Sequence, residues 1–235
     1  MARKKPFVLA IIPARGSSKR LPRKAVTLLA GKPLLSHTIE EALKSKMLDK
    51  VVVTTEDAEV AAVTRKYSGI LIVDRPAKLA QDNTPMIAVV QHAVKTIEEK
   101  TPVDIIVLLQ STSPLRTAED IDDCVEKVLK GADSAETFCE VKHYPHGMFR
   151  IEGDKAEPYD AVGLKKYKRI QDVPKLYMEN GAVYVVKRNV LMKGNTFYGK
   201  EHKAVLMPEE RSVDVDTILD LKLAEAIINE NKNRR

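Results

Sequence analysis

Five cations fall within residues 15–24 of the stretch "PARGSSKRLPRK": Arg15, Lys19, Arg20, Arg23 and Lys24. Like charges at that density repel unless an anion joins them. They suit a polyphosphate gripped by side-chain cations, with Gly16, Ser17 and Ser18 adding backbone and hydroxyl donors. Neither a Walker A loop nor a dinucleotide fingerprint is met, because Gly16 has no partner glycines at the required spacing. A second constellation is "RSVDVDT", with Asp214 and Asp216 two residues apart. In an extended segment such residues point to one side, and magnesium is commonly held by one or two carboxylates plus substrate phosphates. Asp216 reads equally as the N-cap of the helical stretch that follows. The third is "LLQSTSPLR", where Gln110, Ser111, Thr112 and Ser113 offer neutral hydrogen-bonding groups and Arg116 a planar fork, a set suited to a polyhydroxylated ligand. Ser113-Pro114 is also a plain turn signal.

The elements that must carry these groups are legible from periodicity. "FVLAII" is short, continuous and apolar, as expected of a strand buried on both faces, so the cationic loop leaves the carboxyl end of a buried strand, where ligands bind in open α/β sheets. Buried-strand runs then alternate with amphipathic segments: a helix from about 35 to 46, "KVVVTT", a helix near 58–66, "ILIV", a helix near 85–98, "DIIVLLQS", a helix at 118–129 and "SAETFCEV". That order predicts an α/β domain with a mainly parallel, doubly wound sheet. Eight of the eleven aromatics lie between Tyr144 and Tyr198 in a stretch of weak helical periodicity. This predicts a β-rich excursion, either packed on a partner subunit or folded over its own small core. Asn180-Gly181 in "YMENGAVYVV" reads as a turn before a returning strand, and "TILDLKLAEAIINE" as a closing amphipathic helix.

The totals narrow the function classes. A chain of 235 residues with 44% hydrophobic and 31% charged residues has the composition of an ordinary soluble globular protein. No apolar run approaches the length of a membrane span or a signal peptide, so a cytoplasmic location is expected. Cys124 and Cys139 match no zinc spacing and are expected to be reduced and structural. His143 and His146, separated by Pro145 and Tyr144 and lacking a third ligand, do not form a metal site. The net charge of +6 raises nucleic acid as a partner, but no recognition signature accompanies the dispersed cations. No nucleic-acid and no membrane partner is expected.

Taken together, "IIPARGSSKRLPRK", "LLQSTSPLR", "YMENGAVYVV" and "ERSVDVDT" resemble the acylneuraminate cytidylyltransferase family, collinearly from Ile11 to about Ala226. The resemblance implies a Rossmann-like nucleotidyltransferase fold spanning 1–138 and 199–235, with an inserted dimerisation and acceptor-sugar element at 139–198, and a homodimer. It implies transfer of CMP from CTP to the anomeric 2-hydroxyl of a nine-carbon 2-keto acid sugar with release of pyrophosphate. On these motifs Arg15, Lys19 and Lys24 would contact the triphosphate, with Arg15 and Lys24 also offsetting charge on the leaving group. Arg75 and Thr84 would meet the base. Gln110, Arg169, Tyr184 and Phe197 would line the sugar site, Phe197 reaching in from the partner subunit, and Asp214 and Asp216 would hold Mg2+. The chain departs from the family pattern at Ala25, Gly147, Ile170 and Met178, with Arg169 one place early; apart from Ala25 these fall on the acceptor side. Another acidic sugar (pseudaminic, legionaminic or another 2-keto-3-deoxy acid) is the near alternative, and a non-catalytic nucleotide or nucleic-acid binding module the distant one.

Overall fold

The computed structural model describes residues 5–167, 169 and 172–233. Its first half follows the expected alternation: β1 (Val8–Pro13), α1 (Leu34–Lys44), β4 (Lys50–Thr55), α2 (Ala58–Thr64), β5 (Ile70–Asp74), α3 (Met86–Glu98), β6 (Ile105–Leu108), α4 (Ala118–Leu129) and β7 (Ser134–Glu140). Between β1 and α1 a small ribbon pairs β2 (Leu28–Leu29) with β3 (Lys32–Pro33). After β7 come a hairpin, β8 (Phe149–Glu152) with β9 (Lys155–Pro158), then α5 (Ala161–Lys166), β10 (Tyr177–Lys187), α6 (Arg188–Gly194), β11 (His202–Leu206) and α7 (Ile218–Asn233).

Seven strands form one sheet in the order β11-β7-β10-β6-β1-β4-β5. β10 runs antiparallel to both its neighbours, while the other pairings are parallel. The continuous apolar run of β1 is explained by its neighbourhood. Val8, Ala10 and Ile12 pack toward α1, α2 and α4, whereas Leu9 and Ile11 pack toward α3 and α6. A strand covered on both faces has no side that needs polar residues. The chain builds outward from β1 through β4 to β5, then returns to place β6 on β1's other edge. The reversal leaves a crevice at the carboxyl ends of β1 and β6, which is where an open α/β sheet binds ligands.

The region after β7 differs from expectation in two ways. The segment that leaves the sheet is shorter than 139–198, because β10 is a full member of the main sheet and α6 packs against it. Asn180-Gly181 is also not a turn before a strand. It lies inside β10 as a wide bulge, where five steps along β10, from Glu179 to Tyr184, match two along β7, from Phe138 to Glu136. Gly181 takes a left-handed φ of 73°, which glycine adopts without strain.

The bulge leaves backbone groups without ladder partners, and side chains replace them. Asn180 Oδ1 accepts from the Thr137 hydroxyl at 2.7 Å and from Ala182 N–H at 3.2 Å, Asn180 Nδ2 donates to Ser212 Oγ at 2.9 Å, and Val183 N–H donates to Thr137 Oγ1 at 3.0 Å. Asn180 is buried, so truncating it strands donors away from water. Asn180→Ala should lower stability by about 2 to 4 kcal/mol in urea unfolding. A loss below about 1 kcal/mol would show that the bulge is held by backbone alone.

Candidate active site

A cavity of about 570 Å³ opens at the carboxyl ends of β1, β5 and β6, and among its walls are Arg15, Lys19, Arg20, Lys24, Arg75, Gln110, Asp214 and Asp216. The cationic loop reaches it because the loop is pinned at its back. Gly16 N–H donates to Glu56 at 2.8 Å, and Arg23, at a left-handed φ of 57°, pairs with Asp57 at 2.6 Å and with Glu59. A Cβ on Gly16 would lie 2.3 Å from the Asp57 carboxylate, so glycine is required there by close approach. Two expectations change as a result. The Gly16 amide is committed to Glu56 and is not free for a ligand, and Arg23 anchors the loop from outside the cavity.

The four remaining cations face inward, each on a carboxylate. Arg15 and Lys19 share Asp82, at 2.8 and 2.9 Å, while Lys24 and Arg20 share Asp216, at 2.7 and 2.8 Å. The self-repulsion evident in the sequence is therefore relieved internally. Lys19, through its hydrogen bond, leads the contacts that hold the Asp82 carboxyl below the usual carboxylate range, and Arg15 adds to it. Asp82 had no role in the sequence reading. Its signal is an acid in "DRPAKLAQD" facing a cationic loop, a relation set by the fold and invisible to spacing.

Asp214 and Asp216 reach the cavity through the residue between them. Val215 is fully buried in an apolar cluster with Leu21, Leu29, Leu34 and Leu221, its N–H donates to Thr112 O at 2.7 Å, and Lys24 Nζ donates to its carbonyl at 2.9 Å. With Val215 turned inward, both neighbours turn out to the cavity. The N-cap reading of Asp216 does not hold. Thr217 and Asp220 exchange side-chain and backbone hydrogen bonds at the start of α7, with Thr217 N–H to Asp220 at 2.7 Å and Asp220 N–H to Thr217 Oγ1 at 3.3 Å, a capping box that leaves the Asp216 carboxylate available. Burial pushes the Asp214 carboxyl up, opposed by its hydrogen bond with Thr112 and aided by the nearby Asp216 charge.

Arg75 is almost fully buried; it donates through Nη2 to Thr54 O at 2.6 Å and leaves Nε without a partner. Burial pulls its guanidinium down from its ordinary range. Arg116 is not the ligand fork that its sequence position suggested. Buried at 2% exposure, it donates to Ala182 O at 2.5 Å, to Thr38 Oγ1 at 2.8 Å and to Gln110 O, so it holds the turn that presents Gln110.

Of the other candidates, Thr84 is not among the cavity's walls, although Asp82 and Met86 on either side of it are, and it bonds weakly to Lys78 O at 3.4 Å. Arg169 is exposed and paired with Asp172 at 2.8 Å, away from the cavity walls. Tyr184 sits on β10 opposite Leu108, and Phe197 packs on it with ring centroids 5.9 Å apart. The two aromatics meet within one chain. Of the positions departing from the family pattern, Ala25 lines the cavity, Gly147 and Met178 lie away from its walls, and Ile170 with its neighbour Gln171 falls outside the described residues. Among the described residues no group of three or more acidic, histidine or cysteine side chains is arranged to hold a metal, so a cation here would draw on two carboxylates at most. The two cysteines are free and buried, and no helix among the described residues is long and apolar enough to cross a membrane.

Comparison with known proteins places these features. The chain is 35% identical over 211 residues to an N-acylneuraminate cytidylyltransferase of Streptococcus agalactiae, a match covering 89% of this chain and 50% of that protein. This chain thus spans about half the length of the streptococcal relatives it matches. It is 31% identical over 226 residues to a pseudaminic acid cytidylyltransferase of Campylobacter jejuni, covering 95% of this chain and 97% of the relative. A solved CMP:2-keto-3-deoxy-manno-octonic acid synthetase in complex with CTP shares the fold at a TM-score of 0.71 and 16% identity, over 96% of this chain and 99% of that one. The profile of the family described as Cytidylyltransferase matches residues 9–233. With that match over nearly its whole length, the chain belongs to the cytidylyltransferase family.

Proposed function

We propose that the protein transfers CMP from CTP to the anomeric 2-hydroxyl of a nine-carbon 2-keto acid sugar of the N-acetylneuraminic type. The observation that carries this reading is the convergence of Arg15, Lys19, Arg20 and Lys24 on a cavity where each cation is held by Asp82 or Asp216. A triphosphate brings the charge that would replace those carboxylates, and charge-assisted contacts to phosphate exceed exposed ion pairs in strength. Arg75, with its buried and unpartnered Nε, is placed to meet the base. Gln110, presented by Arg116, and the Tyr184–Phe197 pair stand toward the acceptor. The names of the relatives support an acidic sugar as acceptor. The Campylobacter relative, matched along nearly its whole length, acts by its name on pseudaminic acid, which favours pseudaminic, legionaminic or a related acid as the second reading.

In the reaction, the sugar oxygen forms a bond to the α-phosphorus while the α–β phosphoanhydride bond breaks and pyrophosphate leaves. The hydroxyl proton passes to solvent or to the departing phosphate. Arg15 and Lys24 would oppose charge growing on the leaving group, and the cavity walls would hold the reactants in line. Asp214 and Asp216 fit magnesium: two hard carboxylates project from one extended segment into the cavity, and burial without a bound cation pushes the Asp214 carboxyl up. Bound there, magnesium would supply charge neutralisation on the phosphates. The homodimer is likewise proposed, with a location in the cytoplasm. Exposed Met148, Phe149, Ile151, Tyr159 and Val162 on and around the β8–β9 hairpin and α5 are the surface offered for it.

Pyrophosphate release with CTP across a panel of acid sugars tests the activity directly, and nucleotide binding without turnover on any of them would leave only a binding module. If Asp214 and Asp216 hold the metal, the double change to Asn should lower turnover at least about 100-fold while moving thermal stability little; near-normal turnover would place the metal elsewhere. Arg75→Ala should raise the CTP requirement about 5- to 100-fold, the equivalent of about 1 to 3 kcal/mol, and blur CTP against UTP. Asp82→Asn should free Arg15 and Lys19 and tighten CTP binding about two- to fivefold by calorimetry. Weaker binding instead would make Asp82 a contact to the bound nucleotide complex and not its competitor.

A further inference from the structure

The residues from Pro76 to Pro85, between β5 and α3, form a strap beside the nucleotide cavity. None of them is buried, and none joins an apolar cluster of the core. Their hydrogen bonds are local. Leu79 N–H donates to Pro76 O at 2.8 Å, Ala80 N–H to Ala77 O at 3.0 Å and Thr84 N–H to Gln81 O at 3.1 Å, while the Thr84 hydroxyl reaches Lys78 O at 3.4 Å. At the far end Pro85 O accepts Ala88 N–H at 3.0 Å, the first bond of α3. Proline at 76 and at 85 removes a backbone donor from each end. The flanks, in contrast, are fixed. Arg75 N–H donates to Thr55 O at 2.9 Å and its buried side chain to Thr54 O at 2.6 Å, and Val89 and Val90 of α3 are buried. Among the described residues the strap has one side chain bonded to the rest of the molecule. That is Asp82, whose oxygens take Arg15 Nη1 at 2.8 Å and Lys19 Nζ at 2.9 Å. Arg15 and Lys19 line the cavity from the cationic loop, and Arg75, Asp82 and Met86 line it from the strap and its ends. The link therefore joins two walls of the cavity.

We propose that residues 76–85 are a hinged strap over the nucleotide cavity, held closed by Asp82 on Arg15 and Lys19 and released when incoming phosphates take those two cations. That a nucleotide brings the phosphates rests on the function proposed above; the latch rests on how the strap is fastened. A segment's local stability follows the apolar contacts and backbone bonds that tie it to its surroundings. Here both are missing between the two ends, so the Asp82 pairs decide where the strap lies. Both pairs are partly exposed, and together they favour the closed strap about 2- to 30-fold. The Arg15 pair is the less exposed of the two and the less screened. A preference of that size keeps the strap closed in the absence of ligand and yields to a polyanion. Phosphate oxygens make charge-assisted bonds to the same cations, and those cations are free only when Asp82 has let go. A triphosphate thus binds the open form better and shifts the population toward it. A ligand without phosphate has no such differential contact and leaves the latch in place. Lys24 and Arg20, paired with Asp216, take no part in it.

A nitroxide spin label on Gln81→Cys reads the strap directly, because Gln81 is exposed and the two native cysteines are buried. The probe is inorganic triphosphate, which has the phosphates and neither base nor sugar. Without ligand the slow component should dominate the spectrum. Taking an unlatched strap as half open, saturating triphosphate should raise the mobile fraction about 1.5- to 15-fold. The same label with Asp82→Asn should show the raised fraction before any ligand is added and stay there afterwards, and Asp82→Glu should restore the response. Raising the salt concentration about tenfold should move the Asp82 protein in the direction of Asp82→Asn and leave Asp82→Asn unmoved. Equal mobility in the ligand-free Asp82 and Asp82→Asn proteins, or a label that triphosphate slows, overturns the proposal. If calorimetry finds no triphosphate binding, the phosphate reading of the cavity fails, and the ligand-free comparison of Asp82 with Asp82→Asn still decides the latch.

Discussion

Burial of Val215 is the constraint on which the site depends. Its side chain joins Leu21 of the cationic loop, Leu29 and Leu34 beyond it, and Leu221 of α7 in one apolar cluster, contributing about 2 kcal/mol by area. Its N–H holds the Thr112 carbonyl after β6, and its own carbonyl receives Lys24. One residue thus ties together the three segments that supply cations, neutral polar groups and carboxylates. The inward turn of Val215 also obliges Asp214 and Asp216 to face outward, so the packing that stabilises this corner is the packing that presents the chemistry.

Around that anchor the charges are arranged to be exchanged. Arg23 is held outside by Asp57 and Glu59, which fixes the loop's path. The four inward cations rest on Asp82 and Asp216. Each of these pairs is partly exposed and individually weak. Arg75 and Arg116 lie at the other extreme. Both are buried and each leaves its Nε unpartnered, but Arg116 is tied through both Nη atoms to Ala182, Thr38 and Gln110, whereas Arg75 is tied through Nη2 to Thr54 O.

Beside the cavity, at Gln110, the logic is different, built from irregular sheet in place of a loop. The bulge at Asn180-Gly181 brings Gly181 against Gln110, where an added Cβ would lie 3.3 Å from its amide nitrogen. The same strand carries Tyr184, and its neighbour β7 carries Glu136 on the same face. The antiparallel insertion of β10 between parallel strands is what lets one element meet β6 on one edge and β7 on the other.

Much of the fold was legible because its signals are local. Continuous apolar runs such as "FVLAII" and the "VVV" of "KVVVTT" are expected where both faces of a strand are covered, and the amphipathic segments between them suit crossover helices. The cationic loop and "VDVD" were legible as groups that face one cavity because charge density and period-two geometry are properties of the chain itself. The sequence by itself therefore determined the layered sheet, the edge at which the site forms and the chemical type of its groups. Tertiary structure alone decided how those groups are shared out: that Arg116 fastens a turn, that Arg23 anchors from outside, that Asp82 closes on Arg15, and that Phe197 meets Tyr184 within one chain. Each of these is a pairing between residues far apart in the chain. Which of several donors reaches a given acceptor depends on the distances that packing sets, and no spacing along the chain encodes them.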